Sequence, residues 1–296
     1  MPSFSDPRVV CRPSLPSDTA DVLAFTKRIW EGRDYIHLVW DEWLADPQGL
    51  LVSAQFGPRV VGIAKLSPVF PGQWWLHGLR VDPDYQGLKI GSHLHEYSNA
   101  WWLRHGDGVI RLLTSTERVQ VHHLCERTGY ARVGEIAQYR RVLADIAASP
   151  PAARDFQPVT HAEIPAALAF AAQHLPYNAG LMDTGWRFVL PDPAVLARFV
   201  SDSHLHWWRG HDGLLATWEG DDDDYAVLGI GFAAASKPAM LPDLLRDALA
   251  LAGGRPVKAL FWLAPEQADV VHALEQAGYA SDNDHGALFE KHHPNR

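Results

Sequence analysis

Leu79-Arg80-Val81-Asp82-Pro83-Asp84-Tyr85-Gln86-Gly87-Leu88-Lys89-Ile90-Gly91-Ser92 takes the chain out of a β-type run, through a Gly-punctuated turn and into a helix. The first N–H groups of a helix lack partners within it and carry partial positive charge, so such a turn can hold a phosphate or pyrophosphate without a lysine. Gly87 and Gly91 admit a ligand close to the main chain. A P-loop needs Gly-x-x-x-x-Gly-Lys-Ser/Thr and a dinucleotide-binding turn needs Gly-x-Gly-x-x-Gly. Neither occurs in this stretch.

Around the turn lies a chain of 296 residues, 47% hydrophobic, long enough for two ordinary domains. No run of about 18 apolar residues is present, and the first ten residues carry prolines and charges where a secretory signal has an apolar centre. Two cysteines, Cys11 and Cys125, are too few for a disulfide framework. A cytoplasmic location with no membrane association is the expectation. A formal charge of −9 argues against general nucleic-acid binding, which needs a basic face. The histidines His204, His206 and His211, and the pair His93 and His95, have no cysteine or carboxylate to complete a ligand set, so no metal is expected.

The two halves of the chain match each other. Leu23-Ala24-Phe25 recurs as Leu168-Ala169-Phe170, and Glu117, Val121, His123, Glu126, Gly129, Tyr130 and Ala131 align without a gap with Glu266, Val270, His272, Glu275, Gly278, Tyr279 and Ala280, each pair 149 residues apart. This is the signature of a repeat. Residues 147–157, rich in Ala, Pro and Ser, read as a linker between a first domain over 1–146 and a second over 158–296. In the first half, apolar spacing and turn signals predict strands at 9–12, 50–56, 59–66, 73–81 and 109–115, helices at 21–30, 36–44, 91–105 and 119–128, and a final strand pair within 130–142. The order is βααβββαβαββ.

With Val81-Asp82-Pro83 before it, the run from Gln86 to Gly91 resembles the Gln/Arg-x-x-Gly-x-Gly/Ala acyl-CoA signature of the GCN5-related N-acetyltransferases, the GNAT superfamily; Lys89 stands where that signature has its central glycine. Cys125-Glu126-Arg127-Thr128-Gly129-Tyr130 resembles the family's later Tyr-x-x-x-Gly-Phe pattern. Asp34-Tyr35-Ile36 through Asp46-Pro47, taken with Gly78-Leu79-Arg80-Val81, also looks like the histidine N-acetyltransferase-like branch. The resemblance implies an α/β (α+β) fold, two tandem acyl-CoA N-acyltransferase domains, each a mixed central sheet flanked by helices. The second is expected to be degenerate: around 228–242, where its cradle would fall, the signature is missing and Pro238 and Pro242 interrupt the segment.

By resemblance the activity is direct acetyl transfer from acetyl-CoA to the amine of a small molecule or amino acid. Leu79, Arg80 and Val81 would pair with the pantetheine arm and thioester oxygen, and Gln86, Gly87, Leu88, Lys89, Ile90, Gly91 and Ser92 would hold the pyrophosphate. Counting back from Pro83, the family's proton-accepting glutamate falls on His77, whose unperturbed pKa of about 6.5 suits a general base at neutral pH; the alternative is a half-exposed strand histidine. Glu31 is a rival base, and Asp34 and Tyr35 are acceptor contacts, against the alternative of solvated loop side chains. The family's thiolate-protonating tyrosine falls on Cys125, which reads equally as a small buried hydrophobe. A homodimer is compatible with the family. The competing function is a non-catalytic acyl-CoA-binding or ligand-sensing protein, suggested by Lys89 and Cys125.

Overall fold

Runs of β-branched and aromatic residues form the strands and 3.6-residue stripes form the helices. A computed structural model describes residues 8–143, 153–175, 178–222, 225–253 and 255–294. Its elements are β1 (Val9–Pro13), α1 (Thr19–Thr26), α2 (Ile36–Ala45), β2 (Leu50–Phe56), β3 (Arg59–Phe70), β4 (Gln73–Val81), α3 (Ile90–His105), β5 (Val109–Ser115), α4 (Val119–Arg127) and β6 (Ala131–Val142). They continue as β7 (Phe156–Pro158), α5 (Ile164–His174), β8 (Met182–Asp183), β9 (Phe188–Val189), α6 (Pro193–Ser201), β10 (Leu205–Trp208), β11 (Gly213–Asp222), β12 (Tyr225–Ala235), α7 (Leu241–Asp247), α8 (Leu249–Ala252), β13 (Ala259–Pro265), α9 (Ala268–Gln276) and β14 (Ala280–His292). The fold is mixed α/β, as the resemblance implied.

The chain divides into two compact units that do not follow the sequence halves: one is Met1–Leu112 with Gln120–Ala131 and Glu290–Arg296, the other Leu113–Val119 with Arg132–Phe289. In the first, strands run in the order β1-β2-β3-β4-β5, antiparallel up to β4 and parallel between β4 and β5. Val22 and Phe25 of α1, Ile36, Trp40 and Trp43 of α2, and Leu51, Val60 and Ile63 of the sheet form one apolar cluster. Truncating Trp40 to alanine removes about 3–5 kcal/mol of such packing. The unit is completed by the end of the chain: Glu290 Oε2 accepts from Arg111 Nε at 2.9 Å, Lys291 Nζ donates to the Thr128 carbonyl at 2.8 Å, and the His293 ring meets Trp102 edge-on at 5.1 Å. Arg111 also donates to Gln73 Oε1 at 2.9 Å, so its buried guanidinium is held by two acceptors.

In the second unit the order is β14-β6-β13-β12-β11-β10-β7. Residues 130–142 were expected to hold a strand pair; they give the single strand β6, because Ile136 to Val142 pair continuously and antiparallel with Pro265 to Ala259 of β13. The first helix ends at Thr26 instead of reaching residue 30: Ile29 is already extended, φ −93° and ψ 137°, and Trp30, Glu31 and Gly32 follow with left-handed backbone angles, φ 49°, 58° and 87°. Of the expected linker, residues 147–152 lie outside the described residues, and Phe156–Pro158 pair with β10.

Asp183, fully buried in the β8–β9 hairpin, accepts the Arg187 N–H at 3.2 Å, and burial pushes its carboxyl up to about 7. The folded chain therefore holds this proton more tightly than the unfolded chain, so the stability linked to Asp183 is greatest near pH 4 and is lost as pH rises to about 7. Asp183→Asn is expected to remove that component: in chemical denaturation of the full chain, the wild-type-minus-variant unfolding free energy should fall between about pH 4 and pH 7 and level off above. A difference independent of pH would contradict the assignment.

Candidate active site

β4 pairs with β3 along its length, but with β5 only where Gln73, Trp74 and Trp75 face Val109, Ile110 and Arg111. Beyond Trp75 the parallel pairing stops. The pairing with β3 is also irregular there: Ile63 faces Arg80 and Lys65 faces His77, so Gly78 and Leu79 together oppose the single Ala64. This is a β-bulge, which bends a strand and re-aims its side chains. Gly78 adopts φ +62°, and a Cβ placed on it would lie 2.5 Å from Trp43 Cη2. Glycine is thus required twice at this position, by backbone conformation and by the indole lying against it.

Past the bulge the main chain enters the turn. Asp82 N still donates to the Val61 carbonyl at 2.8 Å, and Asp82 Oδ1 accepts from Asp84 N at 3.0 Å. Arg28 binds both carboxylates, Asp82 and Asp84, its Nη1 lying 2.8 Å from Asp84 Oδ2. A 3-10 turn at Pro83–Tyr85 leads through Gly87, φ +83°, and Lys89, φ +59°, into α3. The first intrahelical bond runs from His93 N to the Lys89 carbonyl, and Ile90, Gly91 and Ser92 supply the leading N–H groups. Close packing fixes this helix end: a Cβ on Gly62 would lie 2.9 Å from Ile90 Cγ2 and 3.1 Å from Leu94 Cδ1. Gly91 differs. It has neither a positive φ nor a crowded Cβ position, the nearest atom being Leu79 Cδ2 at 3.6 Å. The protein's own packing leaves room for a methyl group there, so what a glycine keeps open is the space above the N–H groups.

The Acetyltransferase (GNAT) family model matches residues 19–130, which span α1 to the end of α4 and include both the bulged strand and the turn. Residues 19–130 are a GNAT-family domain. The chain is similar in fold to a GCN5-related N-acetyltransferase from Sphaerobacter thermophilus (TM-score 0.63, 14% identity, 97% of this chain and 96% of that one). It is also similar to the glucosamine N-acetyltransferase region of a fungal multi-domain GH3 β-N-acetylglucosaminidase (TM-score 0.65, 14% identity, 97% and 38%). A third likeness is to a tandem GNAT protein from the clavulanic acid biosynthesis pathway (TM-score 0.55, 13% identity, 97% and 99%). No curated protein matches the sequence significantly.

In the GNAT domain, half-buried His77 sits one residue before the bulge, its Nε2 3.1 Å from Ser67 Oγ and its ring edge-on to Trp43 at 4.9 Å. Tyr35 meets the same indole at 6.2 Å, so Tyr35 and His77 are gathered around Trp43. Asp34 is buried and grips Arg80 with both oxygens, 2.8 Å from Nε and 3.3 Å from Nη2. The Arg80 side chain is thereby turned to the α1–α2 connection. Leu79 and Val81 approach Gly91 from the strand side. Glu31 is exposed on its left-handed turn. Cys125 is fully buried in α4, and burial pushes its thiol up to about 12. Tyr130 beside it is buried as well, with its phenol shifted upward by the same cause. Among the described residues no group of three or more His, Cys, Asp or Glu could hold a metal ion, and no helix is long and apolar enough to cross a membrane.

The sequence singles out Trp43 and Gly78 only within the segments that resemble the histidine N-acetyltransferase-like branch, with no role given, and does not single out Arg28. A lone glycine inside a strand-forming run, as in His77-Gly78-Leu79, is a bulge signal and marks the place; nothing local marks the indole above it. Gly78→Ala is expected to cost about 2–4 kcal/mol through the left-handed backbone and the displaced Trp43, measured by denaturant unfolding. A loss below about 1 kcal/mol would show that the bulge relaxes at little cost.

Proposed function

We propose that the GNAT domain is an acetyl-CoA-dependent N-acetyltransferase that transfers the acetyl group directly to the amine of a small molecule or amino acid. One observation carries this reading: the strand that stops pairing with β5 at Trp75 leads through the loop 82–89 into a helix start whose leading N–H groups stand open at Gly91. Acetyl-CoA, when bound, supplies an activated thioester and a pyrophosphate handle. Main-chain groups of Leu79, Arg80 and Val81 take the hydrogen bonds that β5 no longer offers, aligning the pantetheine arm. Ile90, Gly91 and Ser92 donate to the pyrophosphate, with Gln86, Gly87 and Leu88 shaping the loop and the Lys89 ammonium adding charge. His77 accepts the proton that an alkyl ammonium must lose before its nitrogen can form the new N–C bond as the C–S bond breaks. Cys125, buried as it is, is a poor acid for the departing thiolate, which takes its proton from solvent.

The second half is read as a degenerate GNAT-like domain. β12 and β13 pair in parallel only over Val227–Gly229 and Ala259–Phe261, and Gly231 is a bulge opposite Ala216 and Thr217. Yet residues 236–240 lead almost directly into α7, whereas 82–89 form a longer loop before α3. Pro242 also stands at the start of α7, removing one of the N–H groups a cradle would use. Binding of one acetyl-CoA per chain is therefore expected by titration calorimetry; two equivalents would overturn the reading of the second half, and none would overturn the reading of the first.

Gly91→Ala separates fold from ligand. Alanine gains helix propensity over glycine, up to about 1 kcal/mol in a helix interior, so stability should be kept while acetyl-CoA affinity drops about tenfold or more. His77→Gln should leave that affinity unchanged and lower kcat by about 10²-fold, read by thiol release across amino acids, polyamines and arylalkylamines. The second reading, a CoA-binding sensor, is favoured by buried Cys125 in the tyrosine's place. Acetyl-CoA binding with no thiol release on any amine would decide for it.

A further inference from the structure

Three successive residues, Trp30, Glu31 and Gly32, are left-handed. Two of them pay for a conformation that side chains disfavour. The same turn recurs in the second unit with Ala179, φ 53°, and Gly180, φ 76°, so the backbone shape belongs to the fold. What distinguishes the first unit is what grips this turn. The Arg80 guanidinium lies over the Trp30 ring at 4.1 Å and over the Tyr35 ring at 5.4 Å, while Asp34 holds it in two hydrogen bonds. Arg80 is on β4, two residues past Gly78, so the strand that aligns the cofactor also holds the connection between α1 and α2.

The grip leaves the rings presented outward. Trp30 is 45% exposed, Tyr35 38% and Leu38 75%, all within one short segment. Arg80 and Asp34 neutralise each other and are mostly out of solvent, with side-chain exposures of 10% and 1%. Segment 30–38 therefore offers aromatic surface, and its buried carboxylate is already committed to Arg80. Glu31, exposed at the edge of the turn, supplies one negative charge next to Trp30. That combination matches a monoamine with a ring far better than a polyamine, which needs several available carboxylates.

We infer that the Arg80–Asp34 pair is a positioning device that holds Trp30 and Tyr35 as an aromatic wall for the acceptor, and that the acceptor is an amine carrying an aromatic ring. This rests on the acetyltransferase reading given above, and its test keeps the two apart. Breaking one partner alone strands a buried charge, so the informative variant is the double substitution Arg80→Met with Asp34→Leu, which removes both charges together and is compatible with a stable fold. Hydrogen–deuterium exchange over residues 27–38 reads the wall without turnover and should quicken about tenfold or more in the double variant. With CoA present, 2-phenylethylamine should bind wild type by calorimetry at least about tenfold more tightly than spermidine, and the double variant should lose that preference. In thiol release the loss should appear in KM for 2-phenylethylamine with kcat nearly kept. Unchanged exchange would overturn the positioning role. Preference for spermidine would overturn the aromatic acceptor. Thiol release absent on every amine, with the binding preference intact, would refute the acetyltransferase reading and leave the wall standing.

Discussion

A strand that parts from its neighbour halfway along leaves peptide groups that must find other partners. In the first unit this happens at β4 after Trp75, and the features of the site answer to it. Bulged Gly78 bends the strand away; Trp43 lies against that bulge because no Cβ intervenes; Gly62 lets Ile90 and Leu94 seat the start of α3 next to the strand's end. Each is a close approach that only glycine permits, and together they bring an open strand edge and an open helix end to the same place. Acyl-CoA chemistry suits such a scaffold because its demands are mostly for main-chain hydrogen bonds and anion binding, which backbone supplies from almost any sequence.

The second unit shows how separable these parts are. It keeps the short parallel pairing and the bulge, with side chains packed beside them: a Cβ on Gly229 would fall 2.0 Å from the Trp218 ring, and the Trp186 ring lies tilted against Phe261 at 5.4 Å. Loss of a few residues between β12 and α7 is enough to remove the helix entrance while the sheet persists. Sheet geometry is held by many pairings at once. The cradle depends on one loop, and duplication frees that loop to decay.

Much of this was legible in the sequence because the deciding features are local. Gln86 to Ser92 announced a helix start, and the 149-residue offset announced a repeat. The helix boundary before residue 30 was not legible: Trp30 and Glu31 have no turn preference, and the left-handed turn they form recurs at Ala179 and Gly180 as a property of the fold, not of the local residues. The role of Asp34 was equally hidden, since a carboxylate in a loop looks solvated until its partner is known. Cys125 falls on the acid position by alignment alone, and its full burial in α4 is a property of the fold that no local signal announces. Strand β6 lacked a visible partner because β13 follows it by more than a hundred residues.

Arg111 belongs to the first unit, yet Glu290, the carboxylate that balances it, is 179 residues further along the chain. During synthesis the amino-terminal part therefore emerges with a buried cation whose counter-charge has not yet been made. Closing that separation is a slow, entropically costly step in chain folding. The site-bearing unit, although encoded first, can reach its finished state only after residue 290 has been made. A chain cut at the 147–157 segment would lack the very residues that finish its first unit, which makes the two halves partners in folding.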